Sequence, residues 1–230
     1  MLLIIETSTE RGVIACIDTE RVIFHSELPV GLHSSKHLLP ELMQKVKQSA
    51  VDIKSCSGIV IGVGPGSYTG IRVGATVAKT LSFVLKIPLI AINTLMTFAP
   101  SVNGKFAAVI DARIGGVYFQ TGVKEGEETV FFEGPQVLTL DKAAEALVDI
   151  PHLVTPSMEL LRVKLEKARL GVEGKHAAKE EWSWEECYPS AMQMASFGRK
   201  KLLTGEVILD NSLELLYMRK TQAEIEREGI

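Results

Sequence analysis

The chain has 230 residues, of which 46% are hydrophobic and 23% are charged, and its formal net charge is −3. This composition is typical of a globular protein with one large domain or two small ones, and the lack of a basic excess argues against autonomous nucleic-acid binding. No apolar run reaches the ~18 residues of a membrane span, and the first residues lack the basic start and cleavage site of a signal peptide, so we expect no membrane association.

The first hundred residues predict one mixed sheet with helices on its faces. Apolar runs predict strands at residues 2–5, 13–17, 22–25, 58–63 and 88–92, the first three forming an antiparallel meander. Helical spacing of apolar residues predicts helices at residues 38–50, 71–85 and 93–99. Pro40 is compatible with the first of these helices only near its start, because proline cannot donate a backbone hydrogen bond.

The pattern restarts after residues 100–104, which are rich in turn-forming residues. Phe106–Asp111 resembles Leu2–Glu6, because each is an apolar strand that ends in one carboxylate and precedes a short turn and a second strand. Further strands are predicted at 129–132 and 153–155, and helices at 141–148, 157–170 and 190–203, whereas 171–186 is left unassigned. We therefore predict two related halves: a first lobe at residues 1–102, a second, more degenerate lobe at 103–212 and a C-terminal tail at 213–230.

The glycine-rich segment GVGPGSYTGIRVG, residues 62–74, lies between a predicted strand and a predicted helix. It lacks the lysine of a Walker A loop, the glycine spacing of a dinucleotide fingerprint and the first glycine of an esterase elbow. It therefore predicts a tight turn that lets the helix pack closely on the sheet. The other interpretation is an anion or nucleotide site at the helix start, where Ser67 or Thr69 caps the helix. The contacts would then come from Gly64, Gly66, Ser67, Thr69 and Arg72.

The helix predicted at 71–85 carries two apolar stripes, which implies burial on two sides. Its own sheet covers one stripe, and the other is covered either within the chain or by another chain. The second alternative predicts a partner interface formed by this helix and the preceding one. Its residues would be Leu39, Leu42, Met43, Val46, Val73, Val77, Thr80 and Val84.

Metal-binding and redox motifs are weak. His33 and His37 have a spacing that can bind a metal on a helix, but no third ligand accompanies them, so we interpret them as part of a solvated turn. Three scattered cysteines, Cys16, Cys56 and Cys187, argue against a disulfide framework or a clustered metal site. This cysteine usage fits a reducing cytoplasm, and we expect no metal in the protein.

Glu6 and Asp111 are the two candidate catalytic groups, because they end strands at matching places in the two halves. In a two-lobed kinase such carboxylates face the cleft and hold magnesium or activate a nucleophile. Arg113 can equally form an ion pair with either acid, and residues 7–11 place bulk and charge where a phosphate turn needs glycine. We therefore favour structural roles for both carboxylates and predict no catalytic residue.

Several segments together resemble the TsaB (YeaZ) family: IIETST, GVGPGSYTGIRVG, IPLIAINTLMTFA, IDARIGGVYF and LELLYMR, within residues 2–219. The resemblance implies an α/β fold of the actin and sugar-kinase (ASKHA) type, with two lobes that each contain a mixed five-stranded sheet flanked by helices. The catalytic relative TsaD has a metal-binding histidine pair in a segment of the form NHMEGH, and Thr94 and Phe98 occupy those positions here. Glu6 and Gly116 also depart from the family pattern of aspartate and glutamate.

The resemblance further implies a non-catalytic subunit for threonylcarbamoyladenosine modification of tRNA beside the anticodon. Its partners would be a TsaD-like transferase and a TsaE-like ATPase, with a homodimer when alone and tRNA bound only through the complex. It implies no resident cofactor, with ATP or ADP as candidate ligands at the partner interface. The alternative is a small-molecule kinase or ATPase of the same fold. That alternative needs closely placed glycines in the second lobe, and Gly171, Gly174 and Gly198 do not provide them. A protease has no recognisable triad here.

Overall fold

The first half of the chain forms a five-stranded mixed sheet, as expected. The computed structural model describes residues 1–19, 21–29, 34–113, 115–172, 181–210 and 212–218. The strands are β1 (Leu2–Glu6), β2 (Val13–Asp18), β3 (Arg21–Glu27), β4 (Gly58–Gly62) and β5 (Leu89–Ile92). Their order is β3-β2-β1-β4-β5, with β1 antiparallel to β2 and parallel to β4. Every residue of β1 and β4 is buried, because helices cover both faces of the sheet centre.

Two helices follow the strands of this half. They are α1 (Ser34–Ser49) and α2 (Tyr68–Leu85). Pro40 lies inside α1, in its second turn. The helix expected within residues 93–99 is a single 3-10 turn, Thr94–Thr97, begun by an Asn93 side chain that accepts a hydrogen bond from the Leu95 N–H.

The described residues of the second half form six strands, one more than the five expected. They are β6 (Gly104–Asp111), β7 (Gly116–Glu125), β8 (Glu128–Phe131), β9 (Gln136–Thr139), β10 (His152–Thr155) and β11 (Ser183–Glu186). Five of them lie in the order β11-β10-β6-β7-β8, and β9 pairs with β7. The sixth strand is accommodated because β7 is ten residues long and pairs with β9 at its start and with β8 at its end.

The two sheets repeat one pattern of strand pairing. Read from the other edge, the second order β8-β7-β6-β10-β11 corresponds to β3-β2-β1-β4-β5. In both sheets the strand that ends in a carboxylate lies between two neighbours. It is antiparallel to the strand that follows it in the chain, β2 or β7, and parallel to its other neighbour, β4 or β10. This correspondence supports the predicted repeat. The lobe division near residue 103 stays a prediction.

Three more helices complete the fold: α3 (Leu140–Ala146), α4 (Met158–Val172) and α5 (Ala191–Thr204). Both α3 and α4 pack on the second sheet through Leu147, Leu161 and Leu165. None of the described helices is long and apolar enough to cross a bilayer.

The C-terminal part of the chain returns to the first sheet. Helix α5 packs Met194 and Ala195 against the face of that sheet opposite α1 and α2, although we had expected it in the second lobe. Beyond it, Leu213 is buried in the core under α1 and α2, and the Leu216 N–H donates to Val63 O at 2.9 Å. Residues 213–217 are therefore packed on the first half, and Met218 packs against the cluster around Phe106, in contrast to the tail that the sequence predicted. Helical periodicity identifies a buried face but not the sheet that buries it.

Candidate functional site

The glycine-rich segment packs against the turn that follows β1, residues 6–8. Every fourth residue from 62 to 74 is a glycine in contact with this turn: Gly62, Gly66, Gly70 and Gly74. A Cβ atom on Gly70 would lie 1.9 Å from Thr7 O, and one on Gly62 would lie 1.6 Å from a Glu6 carboxylate oxygen. No side chain fits at these distances, so close packing alone requires glycine here.

Hydrogen bonds fix the same contact. The Ser67 N–H donates to Ser8 O at 2.7 Å, and the Thr7 hydroxyl donates to Gly70 O at 2.7 Å. The Ser67 side chain caps α2 by accepting from the Gly70 N–H at 3.2 Å. Thr69, the other candidate cap, is exposed in the first turn of α2. These contacts support the interpretation as an architectural turn.

Some of the candidate anion contacts are buried beneath this turn, and others are exposed on the protein surface. Gly64 is buried at φ +96°, and its N–H is already bound by the Thr94 hydroxyl at 3.1 Å. Arg72 lies outside, where it donates to the Tyr68 hydroxyl at 3.3 Å and its guanidinium lies 5.1 Å from the Tyr68 ring centroid. A second ring, Tyr217, packs on Tyr68 with centroids 4.7 Å apart. An anion or nucleotide role for these residues stays a prediction.

The Glu6 carboxylate is enclosed by the chain. The Ser8 N–H donates to one of its oxygens and the Thr94 hydroxyl donates to the other at 3.1 Å. Complete burial raises the pKa of Glu6, and these hydrogen bonds only partly offset that effect. Burial of both oxygens favours a structural role over one in which Glu6 meets a substrate.

Asp111, the matching carboxylate of the second half, is contacted by a lysine from a surface helix. Lys164 on α4 lies 2.9 Å from one of its oxygens, and the Arg113 backbone N–H donates to the other at 3.0 Å. The sequence did not identify Lys164, because nothing in the spacing of α4 shows which residue reaches β6. His37 is exposed on α1, and His33 lies outside the described residues. Within those residues no cluster of three metal-ligating side chains was found.

The predicted partner interface is partly core. Leu42 is buried, and Val46, Val73 and Val77 are half-buried against the same core. The reason is that α1 and α2 pack side by side on the sheet, so each covers part of the other. Thr80 is exposed.

Four apolar side chains of these two helices are exposed. They are Leu39 and Met43 on α1 and Phe83 and Val84 on α2, and we call them the α1–α2 surface. Met43, Phe83 and Val84 are 65%, 74% and 67% exposed. The sequence did not identify Phe83, which lies beside Val84 in the last turn of α2. Whether this surface binds a partner stays a prediction.

Comparisons with known proteins agree with this architecture. A family model described as tRNA N6-adenosine threonylcarbamoyltransferase, TsaD, matches residues 30–173. The chain is 32% identical over 148 residues to the tRNA threonylcarbamoyladenosine biosynthesis protein TsaB of Escherichia coli strain K12. It is 33% identical over 137 residues to the protein of the same name from Haemophilus influenzae. These matches cover 60% and 57% of this chain but only 64% and 58% of the relatives' own lengths.

Among solved structures, YeaZ from Pseudomonas aeruginosa has the same fold. It superposes with a TM-score of 0.74 at 21% identity, over 94% of this chain and 98% of that one. At this level of identity the likeness concerns the fold.

Proposed function

Because the chain belongs to the family described as tRNA N6-adenosine threonylcarbamoyltransferase, TsaD, and is similar to TsaB proteins, we propose that it is a TsaB-like, non-catalytic subunit for threonylcarbamoyladenosine modification of tRNA. In this proposal it binds a TsaD-like transferase, which performs the transfer at the adenosine beside the anticodon, and a TsaE-like ATPase joins them. The chain pairs with itself when alone and meets tRNA only in the complex. ATP or ADP would bind at the partner interface.

The observation that carries this proposal is the α1–α2 surface. Three large apolar side chains there, Met43, Phe83 and Val84, are each about two thirds or more exposed. Monomeric proteins rarely leave large apolar patches in water, and such patches mark interaction sites. A partner of the same fold presents an equivalent pair of helices, so one surface can serve both self-association and pairing with a relative.

A second observation favours a structural role for the position where the resemblance places a TsaD histidine. Thr94 is completely buried there. Its hydroxyl donates to Glu6 at 3.1 Å and accepts from the Gly64 N–H at 3.1 Å. The side chain thus connects β1 to the glycine-rich segment. A hydroxyl with both roles occupied by the chain supports an architectural function in place of metal binding.

Reconstitution tests the function directly. Purified TsaD-like transferase and TsaE-like ATPase are supplied with threonylcarbamoyl-adenylate and unmodified tRNA, and the modified nucleoside is measured with and without this chain. We expect modification only when the chain is present, and no ATP hydrolysis or sugar phosphorylation by the chain alone. Equal modification without the chain would exclude the subunit role. Turnover by the chain alone that is lost in Asp111→Asn would support the kinase alternative.

The interface is tested by a charge on the α1–α2 surface. Val84→Glu should weaken both self-association and transferase binding by at least about tenfold, because an unpaired charge would be buried in the contact. The matched control is Val163→Glu on α4, since Val163 is 70% exposed but lies in the second half. Val77 is a poorer choice, because it packs against the core and a charge there would also destabilise the fold. Wild-type binding by folded Val84→Glu, measured by light scattering and pull-down, would place the interface elsewhere.

A further inference from the structure

The connection between the two halves is held by side chains along its whole length. We define the linker as residues 98–101, which lead from the 3-10 turn after β5 toward β6. Each of its residues is bonded to a side chain from the later part of the protein: Phe98 O to Gln193, Ala99 O to Cys187, Pro100 O to Lys124, and Ser101 to Glu185. A hinge needs a few residues whose backbone angles are free to change, and this linker offers few.

Glu185 makes the most extensive of these contacts. Its two carboxylate oxygens both lie 3.0 Å from the Ser101 nitrogen, and one of them accepts from the Ser101 hydroxyl at 2.9 Å. His152 Nε2 lies 2.9 Å from the same oxygen. Hydrogen bonds with a charged partner are about twice as strong as those between neutral groups, so Ser101 with Glu185 and Pro100 with Lys124 are the most strongly bonded residues of the linker.

His152 is itself fixed between two residues of β11. Its Nδ1 lies 3.2 Å from the Ser183 hydroxyl, while its Nε2 contacts Glu185. A serine, a histidine and a glutamate in contact are the residue types of a hydrolase triad. Here, however, both carboxylate oxygens already accept hydrogen bonds from Ser101. Since the imidazole is bonded at both nitrogens, its orientation, and with it that of Glu185, is set by the sheet.

We propose that Glu185, positioned by His152, is a latch that fixes the linker backbone at Ser101 in its observed conformation. Loss of the carboxylate charge opens this latch. The consequence is a linker of fixed conformation, which adds to the burial of Leu95 and Phe98 against residues of the second sheet. This inference concerns the fold of the single chain and goes beyond the proposed function, so either can fail without the other.

The contact between the Glu185 carboxylate and Ser101 is lost when the pH falls, and not when it rises. Partial burial alone would raise the pKa of Glu185, but hydrogen bonds from Ser101 and His152 lower it below the ordinary value of 4.5. The carboxylate contact is therefore complete at neutral pH and is lost as the pH falls through this lowered value. The other groups near Glu185 are Ser183, the Lys124 ammonium on β7 and the Cys187 thiol, whose pKa burial and the Glu185 charge raise to about 12.

Hydrogen exchange at the Ser101 amide tests the proposal on the full chain. In Glu185→Gln we expect exchange at Ser101 to accelerate at least about tenfold, while the amides of β1 and β6 keep their protection. The matched control is Glu166→Gln, whose carboxylate accepts from Trp184 Nε1 at 3.1 Å in the same half but does not contact the linker. We expect it to leave Ser101 unchanged. Unchanged exchange at Ser101 in a folded Glu185→Gln protein would overturn the latch.

Wild-type protein provides a second test that needs no folded variant. Protection of the Ser101 amide, corrected for the intrinsic pH dependence of exchange, should be constant near neutral pH and should fall below about pH 4.5 before the sheets unfold. If Ser101 is unprotected at pH 7, or stays protected until global unfolding, Glu185 is not the latch.

Discussion

The turns that follow β1 and β6 begin from the same sequence pattern and become different structures. The turn after β1 is buried, its carboxylate is enclosed, and α2 lies directly upon it through glycines. The turn after β6 is open: Arg113 and Gly115 are exposed, and Asp111 meets a lysine from α4. The difference lies in the helix that follows the neighbouring parallel strand. A glycine at every fourth position lets α2 touch the turn, whereas α4 buries Leu161 and Leu165 against its own sheet.

The largest effect should come from filling the contact in the first turn. In Gly70→Ala the new Cβ would lie 1.9 Å from the Thr7 carbonyl oxygen, which is backbone and cannot rotate away. We expect a loss of about 3 kcal/mol or more in the free energy of unfolding, measured by denaturant titration. Gly134→Ala is the matched control, because no heavy atom lies within 4 Å of its Cβ position, and it should change stability by less than about 1 kcal/mol. Similar losses in both variants would contradict the packing explanation.

The sequence could predict the glycine-rich segment as a turn but not what the glycines contact. The strand and helix on either side follow from apolar periodicity, and the failed phosphate-loop templates pointed to an architectural role. The four-residue glycine spacing is visible in the sequence, yet it becomes meaningful only when residues 6–8 lie beneath it. That placement arises from the pairing of β1 with β4, a contact between residues more than fifty positions apart.

The second effect concerns the pH dependence of stability. Burial raises the pKa of Glu6 in the folded state, so the folded protein keeps a proton at pH values where the unfolded chain has released it. The free energy of unfolding therefore falls as the pH rises above about 4.5. Glu6→Gln should remove this contribution, which has a slope of at most about 1.4 kcal/mol per pH unit. Unfolding free energies of both proteins at pH 5, 6 and 7 isolate it, since other groups contribute equally. Parallel pH profiles for wild type and variant would show that burial does not control this carboxyl group.

Helical periodicity indicated that α2 is covered on two sides, but it could not show which element covers the second side. Part of that cover is α1, so Leu42, Val73 and Val77, which were assigned to a partner interface, also contact the core. For the same reason the sequence could not place α5, whose apolar face fits either sheet. Side-chain hydrogen bonds such as those of Glu185 were invisible, because charged residues on a short edge strand carry no periodic signal.

The smallest effect should come from the open turn. Asp111→Asn removes an ion pair with Lys164, whose side chain is about one third exposed, and partly exposed ion pairs contribute only about 0.5 kcal/mol. The Asn side chain can still accept from the Arg113 N–H, so the turn should persist. Lys164→Met is the matched variant: it should cost about the same, and the double mutant should lose little more, because the two residues share one interaction. A loss in Asp111→Asn comparable to that of Gly70→Ala would mean that the second turn is as tightly built as the first, and that packing of the following helix does not distinguish them.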